Sequence, residues 1–486
     1  MDESGPGGDG DPLGRGGGGP QSARGEASDP DEGDGGAGGN PYLSGNFAPV
    51  TAELAVENPL PVDGTIPPTL EGMYLRNGPN PAAVPDPTSY HWSEGHGMVH
   101  AVGIRNGTAV SYRNRWVRTR KLAAEIGSVA PPGPAEPLDG PVNANVVWHA
   151  GRLMALGGSG FPHLITPDLD TLRIEDFDAM LASPMGAHPH VDPVTGSLAF
   201  VGADPWGPPF LRYHELDAAG RLVHSTSVDV PRATLHHDVA VTASRVAFLD
   251  LPVVHDSGPA SHGAGVPYHW DPESPARIGV LDRGDAGSMT RWIDIDPCFV
   301  SHVMNAFDDG GTVVLDVCRY ARMFDTAPGG PMNAYPARLE RWRVDPVEGT
   351  FRSDPVDDRP VELPRIDASR AGRPYRFGYC VETSRSDGID IPQALLRHDF
   401  LHGRTERWDP GAGRSPGEPV VVRAEGGRAE DDGWVLSLVY DARRDASDLV
   451  VIDASRFGEH PDAVIHLPAR VPFGFHGTWL PAALAW

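Results

Sequence analysis

Four short segments of this chain place histidines beside apolar, strand-like runs: Gly186-Ala187-His188-Pro189-His190, Leu235-His236-His237-Asp238, Ser301-His302-Val303-Met304-Asn305 and Phe473-Gly474-Phe475-His476-Gly477. Four neutral imidazoles with no carboxylate or thiolate among the ligands would suit Fe, Cu, Zn or Ni rather than Mg or Ca. An all-histidine shell would leave a divalent ion its full charge, and in octahedral geometry it would leave two positions open. Spacing alone does not say which member of each close pair binds. His188 and His190 are two apart and share a side in an extended segment, whereas His236 and His237 point to opposite sides. Any one of these histidines, taken alone, has an ordinary alternative as a hydrogen-bonded residue in a turn.

Ligands this far apart need a scaffold that returns the chain repeatedly to one point. His188, His237, His302 and His476 are separated by 49, 65 and 174 residues. An ordered chain of about 450 residues cut into seven propeller blades gives roughly 64 residues per blade. The gaps then correspond to about one, one and three blades, and inner strands from four blades could meet on the axis. Strand-like runs with turns between them support this: 197–202, 245–252, 311–320, 339–344, 434–440 and 448–453 are short and rich in Val, Leu and aromatic residues. Few stretches hold a 3.6-residue period, and of the chain's 59 glycines and 50 prolines those beyond the N-terminus fall singly between apolar runs. The expected class is all-β, as one domain over residues 40–486.

Composition narrows the function. A net charge of −26 repels phosphate backbones, so nucleic acid is not an expected partner. Three cysteines make no disulfide framework and show no zinc spacing, which fits a reducing cytoplasm. No run approaches the length of an apolar membrane span, although a peripheral membrane contact stays compatible with the sequence. Residues 1–39 are Gly, Asp, Glu, Ser and Pro with almost no large apolar side chain, and are expected to be a disordered tail.

Several longer motifs, in order, resemble the carotenoid cleavage oxygenase family, which includes carotenoid-, apocarotenoid- and stilbene-cleaving enzymes. They are Gly72-Met73-Tyr74-Leu75-Arg76-Asn77-Gly78-Pro79-Asn80-Pro81, then residues 91–100 (HWSEGHGMVH) and 112–119 (YRNRWVRT), then Glu362-Leu363-Pro364-Arg365-Ile366, Gly417-Glu418-Pro419 and residues 430–434 (EDDGW). The resemblance runs from Asn40 to the C-terminus. It implies a seven-bladed β-propeller with a loop and helix cap over the metal-bearing face, and one Fe(II) held by His188, His237, His302 and His476. His190 and His236 then become neighbours. It also implies that Glu362 and Glu418 orient ligand histidines by accepting their other ring N–H.

The same resemblance implies cleavage of a C=C bond by O2 to two carbonyl products, the substrate being a hydrophobic or aromatic alkene. Three departures stand out. A third glutamate, expected to support His237, is replaced by Gly158, so a water or a backbone carbonyl must hold that imidazole or the metal is held less tightly. Ser93 and His96 stand where the family has an aromatic residue and an acid. The stilbene-cleaving branch grips a phenol with a tyrosine and a lysine, and Tyr90 and Lys121 lie near those positions. Phe475 and Phe307 could wall a substrate tunnel, although buried phenylalanines are ordinary core residues. Three other readings stay open: a family-type isomerohydrolase, a non-catalytic propeller that binds a ligand, and a zinc hydrolase, the last without an HExxH motif.

Overall fold

The computed structural model describes residues 40–135, 140–256, 267–284, 287–325, 335–386 and 389–486; the tail expected over 1–39 lies outside them. The described strands assemble into seven antiparallel sheets arranged as a propeller, plus one small hairpin. Blades 1 to 5 follow the chain. Their inner strands are Asn145–His149, His190–Val191, Ala240–Val241, Phe299–Asp309 and Val361–Ile366. Blade 6 runs from Arg414–Pro416 and Val420–Arg423 outward to Ala463–His466, and its outermost strand is Val62–Gly64 from near the start of the chain. Blade 7 is built on Gly72–Pro79, Gly97–Arg105 and Thr108–Trp116, and its innermost strand is Gly477–Pro481. Two adjacent blades are thus each completed by strands from opposite ends of the chain.

Local sequence explains the layering. The second strand of blade 4, Thr312–Tyr320 (TVVLDVCRY), is β-branched and apolar on both faces, and nearly all of it is buried. Outer strands such as Leu222–Val228 alternate exposed and partly buried side chains, as a sheet edge with one wet face requires. Between the first two strands of blade 4 the chain reverses through Gly310, whose φ of +60° suits glycine. The hydrophobic core lies in the seams between blades. Val146, Leu153 and Ala155 pack against Leu75, Val99 and Leu480 between blades 1 and 7. Tyr379 and Leu395 pack against Val435 and Ile452 between blades 5 and 6. All three cysteines are free and buried in or beside these seams.

Two kinds of connection emerge at the end of the propeller where inner strands begin: those from one blade to the next, and those between second and third strands. That end receives residues 80–96, 117–135, 140–144, 175–189 and 229–239, whereas the opposite end has tight turns such as 150–151 and 310–311. Within 117–135 lies the helix Arg120–Ile126, begun by the Thr119 hydroxyl, which accepts from the Leu122 N–H at 3.1 Å, and ended by Gly127 with φ +68°. The loop and helix cap expected from the sequence gathers at this end. No helix among the described residues is long and apolar enough to cross a membrane.

Candidate metal centre

The four histidines arrive from four blades. His188 and His237 lie just ahead of the inner strands of blades 2 and 3, His302 lies within that of blade 4, and His476 immediately precedes the closing strand of blade 7. Their rings meet. Centroids of His188 lie 4.7 Å from His237, 5.0 Å from His302 and 4.6 Å from His476. His302 lies 5.0 Å from His237 and 5.1 Å from His476. His237 and His476 make no such ring contact among the described residues. Ring nitrogens of His188, His302 and His476 all lie within 4.8 Å of one another. His237 stands just outside that trio and joins through its contacts with His188 and His302.

Each ring's hydrogen bonding shows which nitrogen is spare. Nδ1 of His302 meets Glu362 Oε2 at 2.5 Å, and Nδ1 of His476 meets Glu418 Oε1 at 2.7 Å. His237 Nδ1 donates to the backbone carbonyl of Ser301 at 2.6 Å. The Nε2 atoms of His188 and His302 are buried with no hydrogen-bond partner among the described residues. A buried polar nitrogen without a partner is costly unless something satisfies it. Inward-facing, unpartnered imidazole nitrogens are the donor set that a first-row transition metal takes.

Electrostatics agree. Burial, followed by the neighbouring histidines, holds His188 well below the ordinary imidazole pKa, and burial takes His237 down to about 4. Burial also lowers His476, although Glu418 opposes it. These rings are neutral near pH 7 and ready to ligate. For His302 burial likewise disfavours the charged form, but Glu362 outweighs it and raises the pKa. The two carboxylates stay ionised although buried. His302, Ser301 and Tyr320 overcome desolvation at Glu362, and Arg365 and His476 do so at Glu418, bringing each to about 2.

The backbone around Glu362 is irregular. The pairing register shifts between Glu362 and Arg365, and Leu363 adopts φ +53°, uncommon for a branched residue. The Leu363 N–H donates to Glu362 Oε2 at 2.8 Å, so the distortion itself helps to fix the carboxylate. Glu418 accepts from the Gly477 N–H at 2.8 Å and pairs with Arg365 at 2.9 Å. Arg365 lies in the same Glu-Leu-Pro-Arg motif as Glu362, so its place in this network was within reach of the sequence.

The neighbouring histidines serve elsewhere. His190 Nε2 faces Asp238 at 3.2 Å, and His236 Nε2 lies 3.0 Å from the Thr234 hydroxyl. Gly158 is exposed, and a Cβ built there would meet nothing within 4 Å. Of the other two departures, Ser93 bonds His91 Nδ1 at 2.7 Å, and His96 pairs with Glu125 at 2.7 Å. An acid from the helix Arg120–Ile126 therefore meets the histidine that stands where an acid was expected.

Phe475 stacks against His476 at 6.3 Å and against Trp92 at 4.6 Å. Trp92 continues to Phe473 at 5.2 Å and Phe47 at 5.5 Å, so an aromatic wall leads away from the histidines. Phe307 does not join it. It sits near the far end of its long strand, against Tyr375 and the Arg341 guanidinium, at the contact of blades 4 and 5. Adjacency to His302 in sequence misleads here, because five residues of extended chain carry a side chain about 16 Å. Tyr90 is partly buried and its hydroxyl donates to the Trp92 carbonyl at 3.3 Å. Burial, then Glu94, raises its pKa, so it stays protonated. Burial raises the Glu94 pKa, and the charge of exposed Lys121 opposes that rise.

Comparison with known proteins settles the lineage. The family model described as Retinal pigment epithelial membrane protein matches residues 47–481. A Mycobacterium tuberculosis protein named carotenoid cleavage oxygenase is 36% identical over 91% of this chain and 98% of its own. The chain belongs to the carotenoid cleavage oxygenase family. As a member of that family it is an oxygenase. Among solved structures of family members, Pseudomonas brassicacearum lignostilbene dioxygenase superposes with a TM-score of 0.82 at 29% identity, covering 91% of this chain and 98% of that one. Cobalt-substituted Synechocystis ACO superposes with a TM-score of 0.80 at 28% identity, covering 89% of this chain and 97% of that one.

Proposed function

We propose that this oxygenase holds one Fe(II) on the propeller axis through His188, His237, His302 and His476, and uses O2 to split a C=C bond of a carotenoid, apocarotenoid or stilbenoid into two carbonyl products. The observation that carries this reading is the meeting of four imidazoles from four blades, with unpartnered Nε2 atoms on His188 and His302. Imidazoles that share one ion would have neighbouring ring centroids about 4.5 Å apart. Five of the six ring pairs here stand at 4.6–5.1 Å, close to that separation. The cobalt-substituted form of the Synechocystis relative supports a transition-metal ion for this chain as well.

Ferrous iron, when bound, supplies the activation of O2 towards an electron-rich alkene. The chain's own residues do the positioning. Glu362 and Glu418 fix the Nδ1 protons of His302 and His476, which directs their Nε2 atoms inward and offsets part of the ion's charge. The aromatic wall of Phe475, Trp92 and Phe473 offers an apolar surface along which a conjugated substrate can lie beside the histidines. No side-chain acid or base is required.

The test is product analysis under isotopically labelled O2, with a panel of apocarotenoids and hydroxystilbenes, on iron-loaded and chelated protein. Labelled carbonyl oxygen is expected only from the loaded sample. Turnover that survives thorough chelation refutes the iron role. Unlabelled isomerised alcohol favours the isomerohydrolase, and a folded protein that takes up no Fe(II) favours a binding module.

Tyr90 and Lys121 lie near the positions at which the stilbene-cleaving branch grips a phenol, and the Lys121 charge opposes the raised pKa of Glu94, so a phenolic substrate is the second reading. A lysine beside a phenol would stabilise its anion by a charge-assisted hydrogen bond. Lys121→Ala is expected to slow hydroxystilbene cleavage by about tenfold or more, while apocarotenoid turnover stays within about twofold. Equal rates for wild type and variant on the hydroxystilbene would exclude the phenol grip.

A further inference from the structure

With Gly158 in place of a carboxylate, His237 needs a different anchor, and Ser301 provides it. The inner strand of blade 4 pairs Val300 with Arg319 and His302 with Cys318, so Ser301 is an extra residue in a β-bulge. A bulge leaves its extra residue outside the regular ladder and re-aims what it carries. Here the Ser301 carbonyl accepts from His237 Nδ1 at 2.6 Å. The hydroxyl of the same residue donates to Glu362 Oε1, and Glu362 Oε2 holds His302 Nδ1 at 2.5 Å. Tyr320 donates to that first oxygen as well, at 2.7 Å. Ser301 is buried, 5% exposed, so water does not compete for either bond.

We propose that the Ser301 hydroxyl is a positioning group for the metal centre, setting the orientation of His302 through Glu362 from the same bulge whose carbonyl holds His237. One bulged serine thereby ties two imidazoles from adjacent blades into a single unit. This inference rests on the reading of the four histidines as a metal site, and adds to it the residue that links two of its imidazoles.

The experiment compares Ser301→Thr with Ser301→Val in the full chain. The two side chains have nearly the same shape, so packing costs cancel and only the hydroxyl differs. Apoprotein is titrated anaerobically with Co(II), reading both the dissociation constant and the visible absorption of the bound ion. Thr is expected to match wild type within about twofold, with the same spectrum. Val is expected to bind about tenfold more weakly, as for loss of an outer partner, and to show a shifted spectrum because His302 is less constrained. Equal affinity and identical spectra for Thr and Val, with wild type binding normally, would overturn the role of Ser301 and leave the metal site standing. Failure of wild type itself to bind Co(II) would overturn both. If Val does not fold, Ser301→Ala takes its place against the same Thr reference.

Discussion

His188→Ala is expected to abolish stoichiometric iron binding and to lower alkene cleavage by more than the about 100-fold that marks loss of an outer partner, while His190→Ala keeps the metal. The two histidines are separated by one proline, and sequence spacing could not divide their roles. The fold does so by orientation. His188 turns its ring into the cluster, within 4.6–5.0 Å of three other imidazoles. His190 begins the inner strand of blade 2 and meets Asp238, whose other oxygen accepts from the Val303 N–H at 2.8 Å. Losing His190 removes one partner of a buried carboxylate, which costs about 1–3 kcal/mol of stability. Metal analysis of both purified variants, together with denaturant unfolding, separates the two effects. Equal metal loss in both variants would mean that the rings exchange roles in solution.

Glu418→Ala is expected to be the most damaging single change outside the histidines. The carboxylate is 1% exposed and serves His476 Nδ1, the Gly477 N–H and Arg365 at once. Removing it leaves a guanidinium without its principal counter-charge and an imidazole without its acceptor. Breaking a buried pair in this way typically costs about 3–5 kcal/mol, and metal affinity should fall about 10–100-fold. Glu418→Gln keeps an acceptor for one of the three donors and should retain more of both properties. Chemical denaturation of the apoprotein reads the first effect, and a chelator competition reads the second. A loss of stability below about 1 kcal/mol would show that the network is dispensable.

Most of the fold could be read in the chain because its signals are local and repeated. Short Val- and Leu-rich runs between glycines gave the strands, and ligand gaps of one, one and three blade lengths match the placing of His188, His237, His302 and His476 on blades 2, 3, 4 and 7. What stayed hidden depends on contacts between distant segments. Nothing in residues 62–64 announces that they finish blade 6, because three residues at a sheet edge carry almost no pattern. The Ser301 carbonyl is invisible for a different reason: a backbone acceptor has no letter in the sequence, and the bulge that frees it follows from pairing with Arg319 and Cys318. Tyr320 ends an apolar strand and reads as core, yet its hydroxyl reaches a carboxylate on the next blade. Phe307 shows the converse error, in which nearness along the chain was taken for nearness in space.

The way the ring is sealed bears on how the protein matures. Gly477–Pro481 joins Gly72–Pro79, synthesised roughly 400 residues earlier, the kind of long-range pairing that makes folding slow. His476 enters its place only with that joining, and Arg365, Glu418 and the Gly477 amide are brought together by the same event. A chain in which that strand has not docked therefore has three of the four imidazoles without the fourth. Under the proposed reading, the four-histidine site is complete only once Gly477–Pro481 has docked on Gly72–Pro79, and that strand acts as its latch.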